Sequence, residues 1–97
     1  MNIKKERLNN MLWDGIGEGD SEKVNLALIL GAEVDNVGVV GMTPLHKASF
    51  DDFADVAQIL ISAGGNINAK NNWGQTPLYL AKSEEMKHLL EENGATI

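Results

Sequence analysis

Two sequence landmarks recur with the same spacing along this chain of 97 residues. The segment Gly-Met-Thr-Pro-Leu-His at 41–46 returns as Gly-Gln-Thr-Pro-Leu-Tyr at 74–79, which is a displacement of 33 residues. The segment Gly-Ala-Glu-Val-Asp at 31–35 returns as Gly-Gly-Asn-Ile-Asn at 64–68, again displaced by 33, and a shorter form follows at 94–97. Because two independent segments share one period, the chain is predicted to be a stack of structural repeats.

Each repeat is predicted to contain two short helices. Thr43 and Thr76 have the position of helix N-caps, and a proline follows each at the first helical position. Gly31, Gly64 and Gly94 end apolar stretches, where a left-handed residue commonly closes a helix. Such short helices must stack on copies of themselves to bury their apolar faces. The predicted core is aliphatic: Leu12, Leu26, Leu45, Ala48, Val56, Ile59, Leu60, Leu78, Leu80, Leu89 and Leu90.

The segment at 43–48 identifies a family. It reads Thr-Pro-Leu-His-Lys-Ala and matches the ankyrin signature T-P-L-H-x-A, whose period is also 33 residues. The chain resembles the ankyrin repeat family over residues 8–97. This resemblance implies an all-α solenoid of about three helix-turn-helix repeats joined by β-turn fingers, with the fingers and first helices lining a concave face.

The resemblance also predicts the domain organisation. We expect one domain over 1–97, with an N-terminal capping repeat at 8–40, a full repeat at 41–73 and a shortened C-terminal capping repeat at 74–97. Polar residues precede the first repeat, and the last repeat lacks three residues between its helices. Because the chain starts at Met1 and both end repeats resemble caps, we expect it to be a complete unit.

Composition excludes several classes of partner. The chain has 14 acidic and 8 basic residues, a net charge of -6, which disfavours nucleic acid. It has no cysteine, and its longest apolar run, 26–30, is far shorter than the roughly 20 residues that a membrane span needs. We therefore expect a cytoplasmic protein that binds neither nucleic acid nor membrane. Secretion into a host cell by a non-classical route stays an open alternative.

No motif in the sequence indicates catalysis. By its resemblance to the family, His46 is expected to hydrogen-bond within the loop framework. Asp51, Asp52 and Asp55 are interpreted as acidic residues that complement the dipole of the second helix, since they lack the spacing of a calcium loop. We expect no catalytic, cofactor or metal site, and no enzyme activity.

The two fingers, residues 36–42 and 69–75, carry apolar residues where related repeats usually carry polar ones. In the first finger Gly38 replaces the usual Asp or Asn, which predicts a looser finger or a different turn. Exposed apolar residues and tryptophan are enriched at binding interfaces. The predicted contacts with a partner are Val39, Val40, Met42, Phe50, Trp73 and Gln75. An alternative interpretation has Trp73 folding back onto Val39 or Val40.

The predicted function is protein–protein interaction. The chain is expected to act as a monomeric adaptor or scaffold that binds a partner of unknown identity through its finger tips and concave face. The acidic balance favours a partner surface that is basic or neutral. Two alternatives stay open, namely a structural protein that self-associates through its fingers and a regulatory unit of an enzyme complex.

Overall fold

The computed structural model describes residues 2–96, and within that range the chain forms helices and no strands. The described helices are α1 (Ile3–Glu18), α2 (Ser21–Leu30), α3 (Pro44–Phe50), α4 (Ala54–Ser62), α5 (Pro77–Leu80) and α6 (Glu84–Glu92), with a short 3-10 turn at Val39–Gly41. The predicted all-α class is confirmed.

The helices begin where the sequence places their caps. The side chain of Thr43 accepts a hydrogen bond from the backbone N–H of His46, and Thr76 accepts one from Tyr79. Pro44 and Pro77 are the first residues of α3 and α5. These caps satisfy N–H groups that a helix end would otherwise leave without a partner.

The helices form two layers. Each repeat contributes one antiparallel pair, and the first helices α1, α3 and α5 contact one another along one layer while α2, α4 and α6 form the other. The α-carbon trace measures 37 × 27 × 20 Å along its principal axes. Stacking of this kind lets each pair bury the face that it cannot bury alone.

The core runs through both layers. Its buried apolar residues are Leu12, Ile16, Val24, Ala27, Leu45, Ala48, Val56, Ala57, Leu60, Ala81, Met86 and Leu90. The prediction that Leu26 belongs to this core is wrong, because its side chain is 47% exposed. Leu26 is the counterpart of Ile59, which lines the groove between α2 and α4. Leu26 has the same position in the first repeat, where it faces the end of the stack and no described helix covers it.

A repeated hydrogen bond connects the loops that follow each helix pair. The carboxylate of Asp35 accepts from the backbone N–H of Asn66 at 2.9 Å, and Asn68 accepts in the same manner from Thr96 at 2.8 Å. The second landmark recurs with the repeat period because its last residue, Asp35 or Asn68, accepts a hydrogen bond from the corresponding loop of the next repeat.

Candidate functional site

The first finger, residues 36–42, is supported from behind by Trp13 of α1. The indole N–H of Trp13 donates to the side-chain oxygen of Asn36 at 2.7 Å. A Cβ atom added at Gly38 would lie only 3.0 Å from the Trp13 ring. Glycine at position 38 therefore makes room for the indole. The side chain that the family usually has there would crowd the ring and require it to shift.

The first finger adopts a different turn from the second, which is one of the two outcomes that Gly38 predicts. Val40 lies in the left-handed region at φ 51 and ψ 28. A β-branched residue pays about 1–2 kcal/mol for that conformation. Three backbone hydrogen bonds hold it there: Gly38 N–H to Met42 O, Met42 N–H to Val39 O, and Asn72 N–H to Val40 O, at 2.8, 3.0 and 2.9 Å.

The first finger and α1 and α3 together enclose an open groove of about 540 Å³ on the concave face, called the concave groove below. It is lined by Asn10, Trp13, Gly38, Val39, Val40, Met42, Lys47 and Phe50. Val39 is 83% exposed and Phe50 is 47% exposed, so apolar surface faces solvent at its mouth. Four of the six predicted contact residues meet in this groove, namely Val39, Val40, Met42 and Phe50.

The sequence interpretation missed Trp13. The signal that could have found it is the glycine at position 38, since a missing side chain in a finger indicates that another group occupies the space. Nothing in the repeat pattern identifies that group, because Trp13 comes from the irregular first repeat.

Two lysines lie at the rim of the concave groove, and each has a partner within the chain. Lys47 Nζ lies 3.0 Å from an oxygen of Asp51. Lys82 Nζ lies 4.5 Å from the centre of the Phe50 ring, which is a cation–π distance. Exposed ion pairs of this kind contribute little to stability. The apolar floor is therefore the dominant chemical feature of the groove.

The second finger, residues 69–75, is organised by one buried side chain. The Oδ1 atom of Asn71 accepts from the backbone N–H groups of Trp73 and Gln75, both at 2.9 Å, and its amide donates to Gln75 Oε1 at 2.9 Å and to Met42 Sδ at 3.4 Å. Gln75, one of the predicted contact residues, thus has its side chain engaged within the finger. Trp73 is 67% exposed and does not line the concave groove.

His46 has the structural role that the resemblance predicts. It is fully buried, and its Nδ1 atom accepts from the backbone N–H of Thr43 at 3.0 Å. Its Nε2 atom therefore carries the proton, and it donates to the carbonyl of Gln75 at 2.7 Å. This bond joins α3 to the second finger. Tyr79, the counterpart of His46 in the last repeat, is 64% exposed.

The carboxylates that follow α3 serve the fold. Asp51 ends α3, and Asp52 sits in the turn at φ 63, where it accepts a hydrogen bond of 2.6 Å from Ser83. Asp55 lies in the first turn of α4, as the helix-dipole interpretation predicts. The same interpretation is wrong for Asp51 and Asp52, which precede the N-cap residue Phe53 and lie outside that turn. Across residues 2–96 no group of three or more His, Asp or Glu side chains is arranged to hold a metal ion. Within the same range, no helix has the length and apolarity to cross a bilayer.

The fold and the concave groove together define a helical repeat protein with an exposed apolar groove. The family described as "Ankyrin repeats (3 copies)" matches residues 12–97. The chain belongs to the ankyrin repeat family, and the recognition made from the residues at 43–48 is confirmed. Ankyrin repeats generally mediate protein–protein interaction.

Several curated proteins are similar to this chain. Ankyrin repeat protein OPG189 of Monkeypox virus is 46% identical over 48 residues, which cover 50% of this chain and 9% of the relative. Ankyrin repeat-containing protein P1E11.10 of Schizosaccharomyces pombe is 30% identical over 77 residues, covering 79% and 37%. Protein phosphatase 1 regulatory subunit 27 of Homo sapiens is 35% identical over 80 residues, covering 82% and 51%. The chain thus spans about half or less of these relatives.

Proposed function

We propose that this chain is a protein-interaction module that binds an apolar segment of a partner protein in the concave groove. One observation carries this proposal: Val39, Val40, Met42 and Phe50, which were predicted separately from the sequence, converge with Trp13 on one open apolar groove. Contiguous apolar surface exposed on a soluble protein is often a site of protein–protein interaction. The chain would act by binding, with no chemical step of its own.

The size of the groove fits a few side chains of a partner. A volume of about 540 Å³ lies in the range of ordinary ligand pockets. Burial of apolar surface contributes about 25 cal/mol per Å², and the most exposed side chain, that of Val39, has the most to gain. The floor is already held by the hydrogen bond from Trp13 and by the backbone bonds of the first finger. Little ordering would then be required on binding, which favours affinity.

The charge of the chain bears on the choice of partner. At a net charge of -6, the protein would attract a segment whose flanks are basic and repel one whose flanks are acidic. This effect would act mainly on the association rate. In this proposal Trp73, at the tip of the second finger, is a peripheral contact and Gln75 supports the finger. We place the interaction in the cytoplasm, on the strength of the cysteine-free composition.

A second candidate function is that of a regulatory unit in an enzyme complex. The observation that favours it is the similarity to protein phosphatase 1 regulatory subunit 27, which extends over 82% of this chain. In this version the partner is a phosphatase catalytic subunit, and the concave groove is again the contact surface.

The first experiment is affinity capture from the source cells with quantitative mass spectrometry. The bait is the wild type or one of three variants: Val39→Asp with Phe50→Asp in the groove, Trp73→Ala at the second finger, and Ser62→Asp on exposed α4 as the control. We expect a protein retained by the wild type and the control, lost by the groove variant, and reduced less by Trp73→Ala. If the groove variant and the wild type retain the partner equally, the concave groove is not its binding site. Circular dichroism must show equal helicity for all baits.

The second candidate requires a separate binding measurement. Immobilised chain is titrated with purified protein phosphatase 1 catalytic subunit, and the groove variant is tested beside it. Saturable binding that the groove variant loses would support the regulatory role. No binding by the wild type would reject the regulatory role and leave the general interaction proposal to the capture experiment.

A further inference from the structure

Helix α2 has apolar residues on both of its faces. Val24 and Ala27 are fully buried against the rest of the stack. Leu26, Ile29 and Leu30 are 47%, 70% and 51% exposed on the other side. Residues at i, i+3 and i+4 are neighbours on a helix surface, so these three form one continuous stripe, called the α2 stripe below. The five consecutive apolar residues at 26–30 leave the last turn of α2 without a polar face, which is unusual for a helix at a protein surface.

The other repeats show that the fold does not require apolar residues at positions 29 and 30, although the counterparts of Leu26 are the apolar Ile59 and Leu89. When the chain is aligned on Gly31, Gly64 and Gly94, the counterparts of Ile29 are Ser62 in α4 and Glu92 in α6. The counterparts of Leu30 are Ala63 and Asn93. All four counterparts are exposed. Since small or polar residues serve at the same places in α4 and α6, the isoleucine and leucine of α2 have a use outside the packing of the stack.

Charges are arranged at the two ends of the α2 stripe. The exposed carboxylate of Glu22 lies in the first turn of α2. At the other end Lys4 and Lys5, from the start of α1, line a groove together with Leu30 and Gly31. Lys23 near the start of α2 and Lys5 near its end are already paired with Glu18 and Glu33. The charged groups left to act across an interface are the acidic Glu22 at the start and the basic Lys4 at the end. If two such surfaces meet with their helices antiparallel, each acidic end faces a basic end.

We propose that the α2 stripe is an interface between two copies of this chain, which pair through α2 about a two-fold axis with the helices antiparallel. Leu26, Ile29 and Leu30 of both copies form the apolar centre. Glu22 of each copy lies opposite Lys4 of the other. Such a surface is complementary to itself, as a two-fold interface must be. The concave groove lies on the other layer of the molecule and stays accessible in the dimer.

The dimer is expected to be weak. A standard interface buries about 800 Å² per partner and involves about 20–30 residues on each side. One ten-residue helix with its flanking charges offers less than that. We expect a dissociation constant of about 10–100 µM, so that the sequence-based expectation of a monomer holds only in dilute solution.

Sedimentation equilibrium over about 5–500 µM tests the proposal, since that range brackets the expected dissociation constant. The average mass of the wild type is expected to rise from 10.5 kDa toward twice that value. Ile29→Ser with Leu30→Asn, which installs the residues of α4 and α6, should raise the dissociation constant at least about tenfold. Ile29→Glu alone serves as a second variant, because the corresponding exposed residue of α6 is already a glutamate, Glu92. Val39→Asp in the concave groove is the matched control and should dimerise like the wild type.

Charge reversal tests the antiparallel arrangement. Glu22→Lys alone should weaken the dimer about threefold or more by opposing like charges. The double variant Glu22→Lys with Lys4→Glu should return to within about twofold of the wild type, because each end again meets its opposite. A double variant that dimerises more weakly than Glu22→Lys alone would contradict the antiparallel arrangement.

Three results would overturn the proposal. A wild type that stays at 10.5 kDa over the whole range would show that no second copy binds the stripe. If that monomer cosediments with vesicles of phosphatidylserine and phosphatidylcholine through Lys4 and Lys5, the occupant of the stripe is a lipid surface. A dimer that Val39→Asp abolishes and both α2 variants retain would place the interface on the first finger.

Discussion

The two fingers occupy equivalent places in the repeat and reach stability by different means. In the second finger, the side chain of Asn71 binds the loop from within through three hydrogen bonds, and a fourth joins it to Met42 of the first finger. In the first finger Gly38 has no side chain, and the ring of Trp13 lies against it from outside. One finger is therefore supported by its own residue and the other by a neighbouring helix.

The difference determines what each finger can present to a partner. The outside support of the first finger brings an indole ring beside Val39 and Val40 and so builds an apolar groove. The second finger is shaped mainly by its own Asn71, and its large apolar side chain, Trp73, projects into solvent. An identical repeat framework thus yields one groove and one projecting side chain.

The largest difference between the fingers should appear when each loses its tryptophan. Trp13→Ala should lower the free energy of unfolding by about 2–4 kcal/mol, because a large ring packed against the core and a hydrogen bond to Asn36 are both removed. Trp73→Ala should lower it by less than about 0.5 kcal/mol. Urea unfolding followed by circular dichroism measures both. Equal losses would contradict the comparison.

Removal of the internal support of the second finger should rank next. Asn71→Ala leaves the N–H groups of Trp73 and Gln75 without their acceptor. We expect a loss of about 2 kcal/mol in unfolding free energy. Asn25→Ala, at an exposed position of α2, is the control and should leave stability unchanged or slightly raised. A loss at Asn71 no larger than at Asn25 would show that the finger does not depend on this side chain.

A pair of glycine substitutions sharpens the account of the first finger. Gly38→Ala should destabilise by about 1 kcal/mol, because the new Cβ lies 3.0 Å from the Trp13 ring. Gly17→Ala in α1 adds a Cβ with no neighbour within 4 Å and should stabilise by about 0.5–1 kcal/mol. Thermal unfolding gives both signs. A stabilising effect at Gly38 would mean that the indole does not need the space.

The smallest expected effect concerns the strained residue of the first finger. Val40→Asn should raise the unfolding free energy by about 0.5 kcal/mol, because asparagine tolerates the left-handed conformation better than valine does. The same change should weaken partner capture, since it removes apolar surface from the concave groove. Denaturant titration and the capture experiment measure the two effects on one variant. A lower unfolding free energy for Val40→Asn than for the wild type would contradict the conclusion that Val40 is strained.

The fold could be predicted because its signals are local and periodic. Thr43 and Thr76 with their prolines mark helix starts, and each acts within a few residues of itself. The groove could be predicted only in part. Val39, Val40 and Met42 stand out as apolar residues in a finger, whereas Trp13, which lines the same groove, precedes them by 26–29 residues and lies outside the repeat pattern.

One wrong prediction and one feature that the sequence did not predict have the same origin. Leu26 was expected in the core because its counterpart Ile59 lies between two helices, yet α2 has no described neighbour on that side. The left-handed conformation of Val40 carries no sequence signal, because valine is disfavoured there. Periodicity describes what the repeats share, and these residues depend on where a repeat ends or departs from its copies.

Site-specific photocrosslinking tests the concave groove as a partner-binding site most directly. Benzoylphenylalanine is placed at Val39 in the groove or at Ser62 on exposed α4, and the chain is irradiated in lysate of the source cells. The proposal predicts a partner that crosslinks at position 39, is absent at position 62, and disappears when Phe50→Asp is added to the Val39 probe. The same proteins at both positions, or a partner at position 62 alone, would contradict it.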